Sequence, residues 1–161
     1  MVLSFYLSTT LGPNESICDQ HGGSDRSDFL TIDSSKRCVI WYSAGGSRVV
    51  RHFSFNKVPH SAIFCQFQNP MDTSNVSTLK NAVAVLVSPV DLCINMFTGE
   101  VYNIRMPYPM NSMLSFPSGL LFQAQVTSHR DALFGTLDEQ DSRYFTLTNP
   151  SSSLQSLKLN G

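Results

Sequence analysis

The stretch from Asn81 to Arg105 constrains the fold more than any other part of the chain. It holds a valine-rich apolar run at 82–87, a second apolar run at 92–97 and a β-favouring run at 101–104. Pro89 and Asp91 lie between the first two runs, and Thr98-Gly99 separates the last two. Apolar runs this short are typical of strands, and an X-Gly pair between two of them is a strong hairpin signal. The stretch therefore predicts three consecutive antiparallel strands, a β-meander.

Strand-like runs separated by turn signals recur along the rest of the chain, and no helical period is sustained. One short helix turn is predicted at Arg130–Gln140. Strands recurring in this way are typical of a β-sandwich, a barrel or a propeller. The further predicted strands are 1–6, 28–32, 37–42, 47–55, 61–68, 113–116, 119–126 and 144–148.

Composition divides the chain into three parts. Residues 1–36 are predicted to be mostly loop or linker, because Ser, Thr, Gly, Asn and Asp dominate residues 8–36. Residues 37–148 form the β-rich part, interrupted by a polar loop at 69–80. Residues 149–161 are predicted to be a flexible, Ser-rich tail.

A propeller would be incomplete in a chain of this length. One blade takes about 40–45 residues and a closed ring needs at least about four blades. Residues 37–148 therefore supply two to three blades. Unpaired sheet edges in such an arc require either more chain or a partner.

Charge and cysteine content exclude several classes of protein. The formal net charge is −1 and only 14% of residues are charged, which gives no reason to expect nucleic acid or an anionic membrane as a partner. No apolar run approaches the roughly 18 residues of a membrane span, and the first residues lack a basic signal-peptide region. We therefore expect an intracellular protein.

Cys38, Cys65 and Cys93 lie in apolar runs without a C-x-x-C pair, which favours buried thiols over disulfides or metal ligands.

Two short motifs resemble catalytic elements. His21-Gly22-Gly23 is similar to an esterase oxyanion loop, but the G-x-S-x-G motif that such a loop serves is absent from the sequence, which favours a flexible linker. Ser128, His129 and Asp131 supply the side chains of a triad. Residues so close in sequence do not easily converge on one reacting atom, which argues against catalysis.

The remaining candidates favour structural roles. His52, His60 and Cys65 match no recurrent zinc spacing, and His52 alternates with apolar neighbours as a surface or hydrogen-bonded histidine does. The acidic group Asp138, Glu139 and Asp141 is best interpreted as a solvated turn, and Trp41 as a core residue. The sequence predicts no catalytic residue, no cofactor and no metal ligand, and it does not identify interface residues.

Seven runs between Arg37 and Gln140 follow one another in a distinctive order. They are V-I-W-Y-x-A-G-G-S-R, V-V-R-H-F-S-F, A-I-F-C-Q-F, A-V-A-V-L-V, L-C-I-N-M-F-T-G-E-V-Y-N-I-R-M-P, G-L-L-F-Q and A-L-F-G-T-L-D-E. In their order and spacing, above all in L-C-I-N-M, the following G-x-x-Y strand and the G-L-L-F strand, they resemble the N-terminal β-propeller of the family of anaphase-promoting complex subunit 1.

The resemblance implies a partial β-propeller and a non-catalytic role in cell division. The family is a very large scaffold subunit of a multisubunit ubiquitin ligase that acts in mitosis, in nucleus and cytoplasm. Its partners there are the cullin/RING module and the tetratricopeptide-repeat subunits. The family protein also has the rest of the propeller, a helical-repeat domain and a long Ser/Pro-rich loop, which this sequence does not match. The resemblance therefore implies an N-terminal fragment or a truncated product.

Two other functions compete with this interpretation. The chain is alternatively an independent β-sandwich or barrel that binds a small ligand or carbohydrate, or else a cryptic hydrolase. A self-sufficient binding domain should be monomeric, melt cooperatively and have one concave polar pocket. A scaffold segment should lack such a pocket and bind neighbouring subunits.

Overall fold

The structure, a computed structural model, describes residues 11–23, 26–46, 48–68, 79–133 and 135–157. Over these ranges the protein is all-β, as the sequence predicts, apart from one three-residue 3-10 turn. The strands are β1 (Glu15–Gly23), β2 (Arg26–Asp33), β3 (Cys38–Ser43), β4 (Arg48–Ser54), β5 (Ser61–Gln68), β6 (Leu79–Ser88), β7 (Asp91–Met96), β8 (Val101–Arg105), β9 (Met110–Phe116), β10 (Gly119–Ala132), β11 (Gly135–Leu147) and β12 (Gln155–Leu157).

The described strands form three antiparallel sheets, each built from four strands that are consecutive in the chain. The first sheet contains β1 to β4, the second β5 to β8 and the third β9 to β12, each in sequence order. Each sheet is thus a four-stranded meander. The predicted meander at Asn81–Arg105 is confirmed, and it provides β6, β7 and β8 of the second sheet.

The second sheet is buried on both faces because it lies between the other two. Val83 on β6 belongs to an apolar cluster with Trp41 of the first sheet. Its neighbours Ala82 and Ala84 belong to a second cluster with Phe122 of the third sheet. Since alternate residues of a strand point to opposite faces, a strand covered on both sides needs a continuous apolar run. The valine-rich run therefore reflects the position of β6 between two neighbours.

The three sheets meet at β5, the first strand of the second sheet. β5 contacts β1 and β2 of the first sheet and β9 and β10 of the third. The first strands of successive sheets thus lie side by side. The later strands of each sheet follow outward from this line in sequence order.

The opposite face of the first sheet is buried as well. Phe29, Cys38, Ile40 and Tyr42 form a third apolar cluster, against which Leu11 packs. The rings of Phe29 and Tyr42 are stacked with their centroids 4.9 Å apart. The two faces of the first sheet therefore belong to separate cores.

A hydrogen-bond network joins the beginning of β1 to this third cluster. The hydroxyl groups of Tyr42 and Thr31 each donate to Oε2 of Glu15 at 2.6 Å. The Gly12 amide donates to Oε1 of the same carboxylate at 3.0 Å. Burial raises the pKa of Tyr42, and the hydrogen bond to Glu15 raises it further. Glu15 thus accepts the polar hydrogens that this apolar face would otherwise leave unpaired.

The third sheet extends into a two-stranded ribbon. β9 pairs with β10 only as far as Ala124, and β12 pairs with β11 only at Tyr144–Thr146. The β10–β11 ladder continues beyond both, to the pair of Ala132 with Gly135. Leu133 at the tip is 93% exposed.

Two predictions of irregular or helical structure are wrong, and the flexible tail at 149–161 stays a prediction, although three of its residues form a strand. The segment predicted as a loop at 8–36 contains β1 and β2, of which only the short strand at 28–32 was predicted. Arg130–Gln140 forms the end of the β10–β11 hairpin and no helix turn, and the predicted tail at 149–161 contains β12. β1, β12 and the end of the β10–β11 hairpin are polar and are held mainly by backbone pairing with neighbours, which composition does not report, whereas β2 also buries Phe29 and Leu30. The predicted strand at 1–6 lies outside the described residues, as do residues 69–78 of the predicted loop.

The cysteines behave as the apolar runs predict. Cys38, Cys65 and Cys93 are buried, Cys18 is half-buried, and all four are free thiols. Burial raises the pKa of each thiol, to about 12 for Cys18 and for Cys65.

Among the described residues, no helix is long or apolar enough to cross a bilayer.

Candidate docking surfaces

Aromatic side chains and one arginine form the junction between the first and second sheets. The Trp41 ring lies 4.4 Å from the Phe97 ring and 5.6 Å from the Phe64 ring, measured between centroids. Arg51 on β4 donates to the carbonyl oxygens of Met96 and Phe97, at 3.2 Å each. Trp41 is 8% exposed, so its predicted role as a core residue is confirmed.

A carboxylate joins the same two sheets at their first strands. The Phe64 amide on β5 donates to Oδ2 of Asp19 on β1 at 2.7 Å. The pairing of β1 with β2 shifts register between Ile17 and Asp19. The Cys18 thiol, at this shift, donates to the Leu30 carbonyl at 3.4 Å. The pKa of Cys18 is raised first by burial and second by the Asp19 charge. Because Asp19 accepts from an edge amide of β5, it satisfies a backbone group that faces away from β6.

A groove of about 730 Å³ opens between the outer strands of the first and second sheets. We call it the outer groove. One wall is the end of β4 with the residues that follow it, and the other wall is β7 and β8. Its polar lining includes His52, Asn56, Lys57, Asp91, Asn95, Asn103 and Arg105.

The charges of the outer groove are partly paired with one another. Arg105 lies 3.1 Å from Asp91, and the Ser88 hydroxyl donates to the same carboxylate at 2.9 Å. The Ser88 hydrogen bond, followed by that of Arg105, lowers the pKa of Asp91, and Lys57 contributes through its charge. The side chain of Arg105 is 75% exposed. Two cations therefore surround one carboxylate, and both reach solvent at the mouth of the groove.

A second cavity, of about 360 Å³, lies near the first strands. Asp19 and Gln20 of β1 line it on one side and Phe116 and Pro117 of the third sheet on the other. Phe97, which packs on Trp41, also lines this cavity. The second cavity thus lies where all three sheets approach each other.

The third sheet has one face that is only partly covered. Leu114 pairs with Leu121, and Tyr144 pairs with Leu157, on the face opposite to Phe122. Leu114 is 59% exposed and Leu157 is 42% exposed. We call this surface the outer face of the third sheet, and its exposed leucines are residues that a partner could cover.

The histidines and the cysteine considered as metal ligands are not brought together. His52 lies on β4 and is exposed, and His60 is exposed just before β5. Cys65 is 4% exposed within the cluster between the second and third sheets. Among the described residues, no group of three or more His, Cys, Asp or Glu side chains has the geometry of a metal site.

The motifs that resembled catalytic elements lie on strands. His21-Gly22-Gly23 ends β1 and pairs with the start of β2, so its interpretation as a linker is wrong. Ser128–Asp131 lies on β10 and pairs with β11. The side chains of both motifs lie outside the described part of the structure. The acidic residues Asp138, Glu139 and Asp141 are exposed on β11, within the ribbon and not in a turn.

Comparison with known proteins adds no assignment. No protein-family model matches the chain, and none of the curated proteins matches it either.

Sequence reasoning missed the polar residues that join the sheets. The predicted strand at 47–55 contains Arg51 without a role for it, and Asp19 lies in the segment predicted as a loop at 8–36. An arginine that alternates with phenylalanines along a strand indicates a residue that bridges to a neighbouring element, because a buried guanidinium needs hydrogen-bond acceptors. Asp19 gives no such signal, since its acceptor role depends on the position of β5.

Proposed function

We propose that the three sheets are consecutive blades of a β-propeller arc. The single observation that carries this proposal is the contact between the first strands of successive sheets, β1 with β5 and β5 with β9. Each sheet is a four-stranded meander, which is the unit of a propeller blade. A sandwich would instead pair two sheets face to face around one core. Here the second sheet is covered on both faces, by a cluster on each side.

The function that fits such an arc best is that of a non-catalytic scaffold. We infer that the chain is a docking segment of a cell-division ubiquitin ligase of the anaphase-promoting complex type. The resemblance to subunit 1 of that complex supports this inference, and its runs fall on β3 to β8, on β10 and on the start of β11. The partners would be the cullin/RING module and the tetratricopeptide-repeat subunits, in nucleus and cytoplasm.

The exposed apolar residues support a docking role. Leu114 and Leu157 on the outer face of the third sheet, together with Leu133 at the ribbon tip, leave much of their apolar surface in water. Burying them against a partner would remove apolar surface from water. The outer face is therefore the surface on which we expect a neighbour.

Affinity capture from dividing cells tests the proposal. The tagged 161-residue chain is captured under mild salt, and the bound proteins are identified by mass spectrometry. We expect cullin and tetratricopeptide-repeat subunits of the ligase. A Trp41→Asp variant, which cannot form the junction between the first two sheets, is the matched negative control. Absence of those subunits from the wild-type capture would contradict the scaffold function.

A second candidate function, binding of a small polar ligand, is favoured by the outer groove. Its volume and its amide-rich lining resemble a site for a carbohydrate or another small polar molecule. Ligand-observed NMR with a set of monosaccharides tests it directly. Binding that is lost in an Asn95→Leu variant would support this function, and no binding by any sugar would exclude the sugars tested.

A further inference from the structure

The last strand of the second sheet has an open edge beside the outer groove. Among the strands that the structure describes, β8 pairs only with β7, from Asn95 with Val101 to Asp91 with Arg105, without a register shift. The Met96 amide donates to the Glu100 carbonyl and the Met106 amide to the Val90 carbonyl, both at 2.8 Å.

These two hydrogen bonds determine which backbone groups of β8 are unpaired. Residues of an antiparallel strand bond alternately to one neighbour and to the other side. Since Glu100 and Met106 bond toward β7, Tyr102 and Ile104 do so too. The N–H and C=O groups of Val101, Asn103 and Arg105 therefore point away from the sheet.

The edge of β8 lacks most of the features that protect an edge strand. Proteins block such edges with bulges, prolines, charged side chains or very short strands. The outer strand of the first sheet has a register shift opposite Trp41, and that of the third sheet has only three residues. β8 has five residues in regular register, Val101 near its start is 54% exposed, and Arg105 at its end is the strand's only charged residue.

The outer groove gives this edge a chemical preference. Val101, Asn103 and Arg105 line one wall of the groove, opposite His52 and Lys57. An added strand would place every second side chain in the groove, next to the two cations and the single carboxylate Asp91. An acidic side chain there would pair with Lys57 or Arg105, whereas a basic one would compete with them for Asp91.

We propose that β8 binds an extended, acidic segment of a partner protein as a fifth strand of the second sheet. Main-chain hydrogen bonds to Val101, Asn103 and Arg105 hold the segment, and its acidic side chains occupy the outer groove. The proposal rests on the docking role of the proposed function and identifies one docking element within it. It requires no movement of the sheet, because the edge and the groove are both preformed.

A synthetic peptide of about seven residues, with alternating Val and Thr and a Glu at each end, is the probe. Amide hydrogen exchange of the whole chain is measured with and without the peptide by NMR. We expect the exchange of the Val101, Asn103 and Arg105 amides to slow by about tenfold or more at saturation. The amides of Tyr102 and Ile104 already bond to β7 and should change little. Unchanged exchange at the three outward amides would overturn the proposal.

Two variants of the chain separate backbone pairing from side-chain contact. Asn103→Pro removes the central outward N–H without breaking a bond to β7, since proline is tolerated at an edge. We expect it to weaken peptide binding by about tenfold or more, whereas Asn103→Ala should bind as the wild type does. Wild-type affinity in a folded Asn103→Pro variant would overturn strand addition.

Two variants of the peptide keep the test independent of protein folding. A peptide with an N-methyl group on every residue has no backbone N–H on either edge, so it cannot pair with β8 and should not bind. A peptide with Lys in place of Glu should bind several-fold more weakly at low salt. Equal binding of the N-methylated peptide would overturn the pairing, and equal binding of the Lys peptide would overturn the acidic preference.

Capture from dividing cells distinguishes this inference from the proposed function. If ligase subunits are captured but the peptide does not slow exchange on β8, the strand-addition inference alone is overturned. If the peptide pairs with β8 but no ligase subunit is captured, the proposed ligase function alone is overturned.

Discussion

Removal of the Arg51 side-chain donors should weaken the junction between the first two sheets by a measurable amount. Arg51→Met keeps the apolar part of the side chain but loses both hydrogen bonds to the carbonyls of Met96 and Phe97. It also loses the contact of the guanidinium with the Phe53 ring, 5.8 Å from its centroid. The Met96 carbonyl still accepts the Gly99 amide, which moderates the loss.

The expected magnitude follows from these contacts. A hydrogen bond from a charged donor contributes about 1.5–3 kcal/mol, but a length of 3.2 Å and partial exposure favour about 1 kcal/mol for each bond. A partly exposed cation–π contact adds about 0.5 kcal/mol. We therefore expect Arg51→Met to lower the free energy of unfolding by about 2.5 kcal/mol. Arg51→Lys, which has no planar fork, should lose about half of that.

Urea titration monitored by tryptophan fluorescence measures this effect. Trp41 is the only tryptophan of the chain and packs on Phe97 at the same junction. The matched control is Arg48→Met, an exposed position on the same strand, which should change stability by less than about 0.5 kcal/mol. Equal stabilities of the Arg51→Met and Arg48→Met variants would refute the role given to Arg51.

Three further predictions concern the rest of the fold. Gly119→Ala should lower stability by about 2–3 kcal/mol, because the added Cβ would lie 2.2 Å from a backbone carbonyl of β11. Gly12→Ala is its control, since its nearest atoms lie at 3.7 Å, and thermal melting compares the two. The hydrogen bond from the Ser35 hydroxyl is the main cause of the lowered pKa of Asp33. The ionised carboxylate therefore stabilises the fold fully above its ordinary pKa of 3.8, and this stabilisation is lost as the pH falls below that value. Asp33→Asn should flatten the acid limb of a stability–pH curve, and an unchanged limb would contradict this. Burial raises the pKa of the Cys65 thiol to about 12. Iodoacetamide at a pH near 8 should therefore alkylate Cys65 only as fast as the chain unfolds. Rapid labelling of the folded chain would be inconsistent with that burial.

The central strands could be predicted from sequence because their residues have apolar partners on defined faces. The run from Ala82 to Leu86 is buried without interruption, and the sequence shows this as valine and alanine without a polar residue. The loop at Thr98-Gly99 was recognised from its glycine, which has φ of 112° and thus favours this residue type. In both cases the information is local.

The polar strands could not be predicted, because their stability depends on distant partners. β1 carries Ser, Asp, Gln and His, and Ile17 within it is 38% exposed. β1 is a strand because β2 pairs along its length, and because Asp19 and Glu15 bond to residues far along the chain. The ribbon of β10 and β11 was mistaken for a helix turn for the same reason.

The interaction surfaces were also beyond the sequence. The outer groove combines residues of β4 with residues of β8, which are about 50 positions apart, and their proximity follows from the stacking of two sheets. The regular, open edge of β8 depends on hydrogen-bond alternation along β7. Neither feature has a signature in residue type or spacing.

The central claim is that the first strands of the three sheets, β1, β5 and β9, lie next to one another. Nuclear Overhauser contacts in the isotope-labelled full chain test it most directly. The claim predicts cross-peaks between β1 and β5, including Asp19 with the Phe64 amide, and between β5 and β9. Missing β1–β5 and β5–β9 cross-peaks, together with strong cross-peaks from β4 to β12, would describe a closed barrel or sandwich and would contradict the claim.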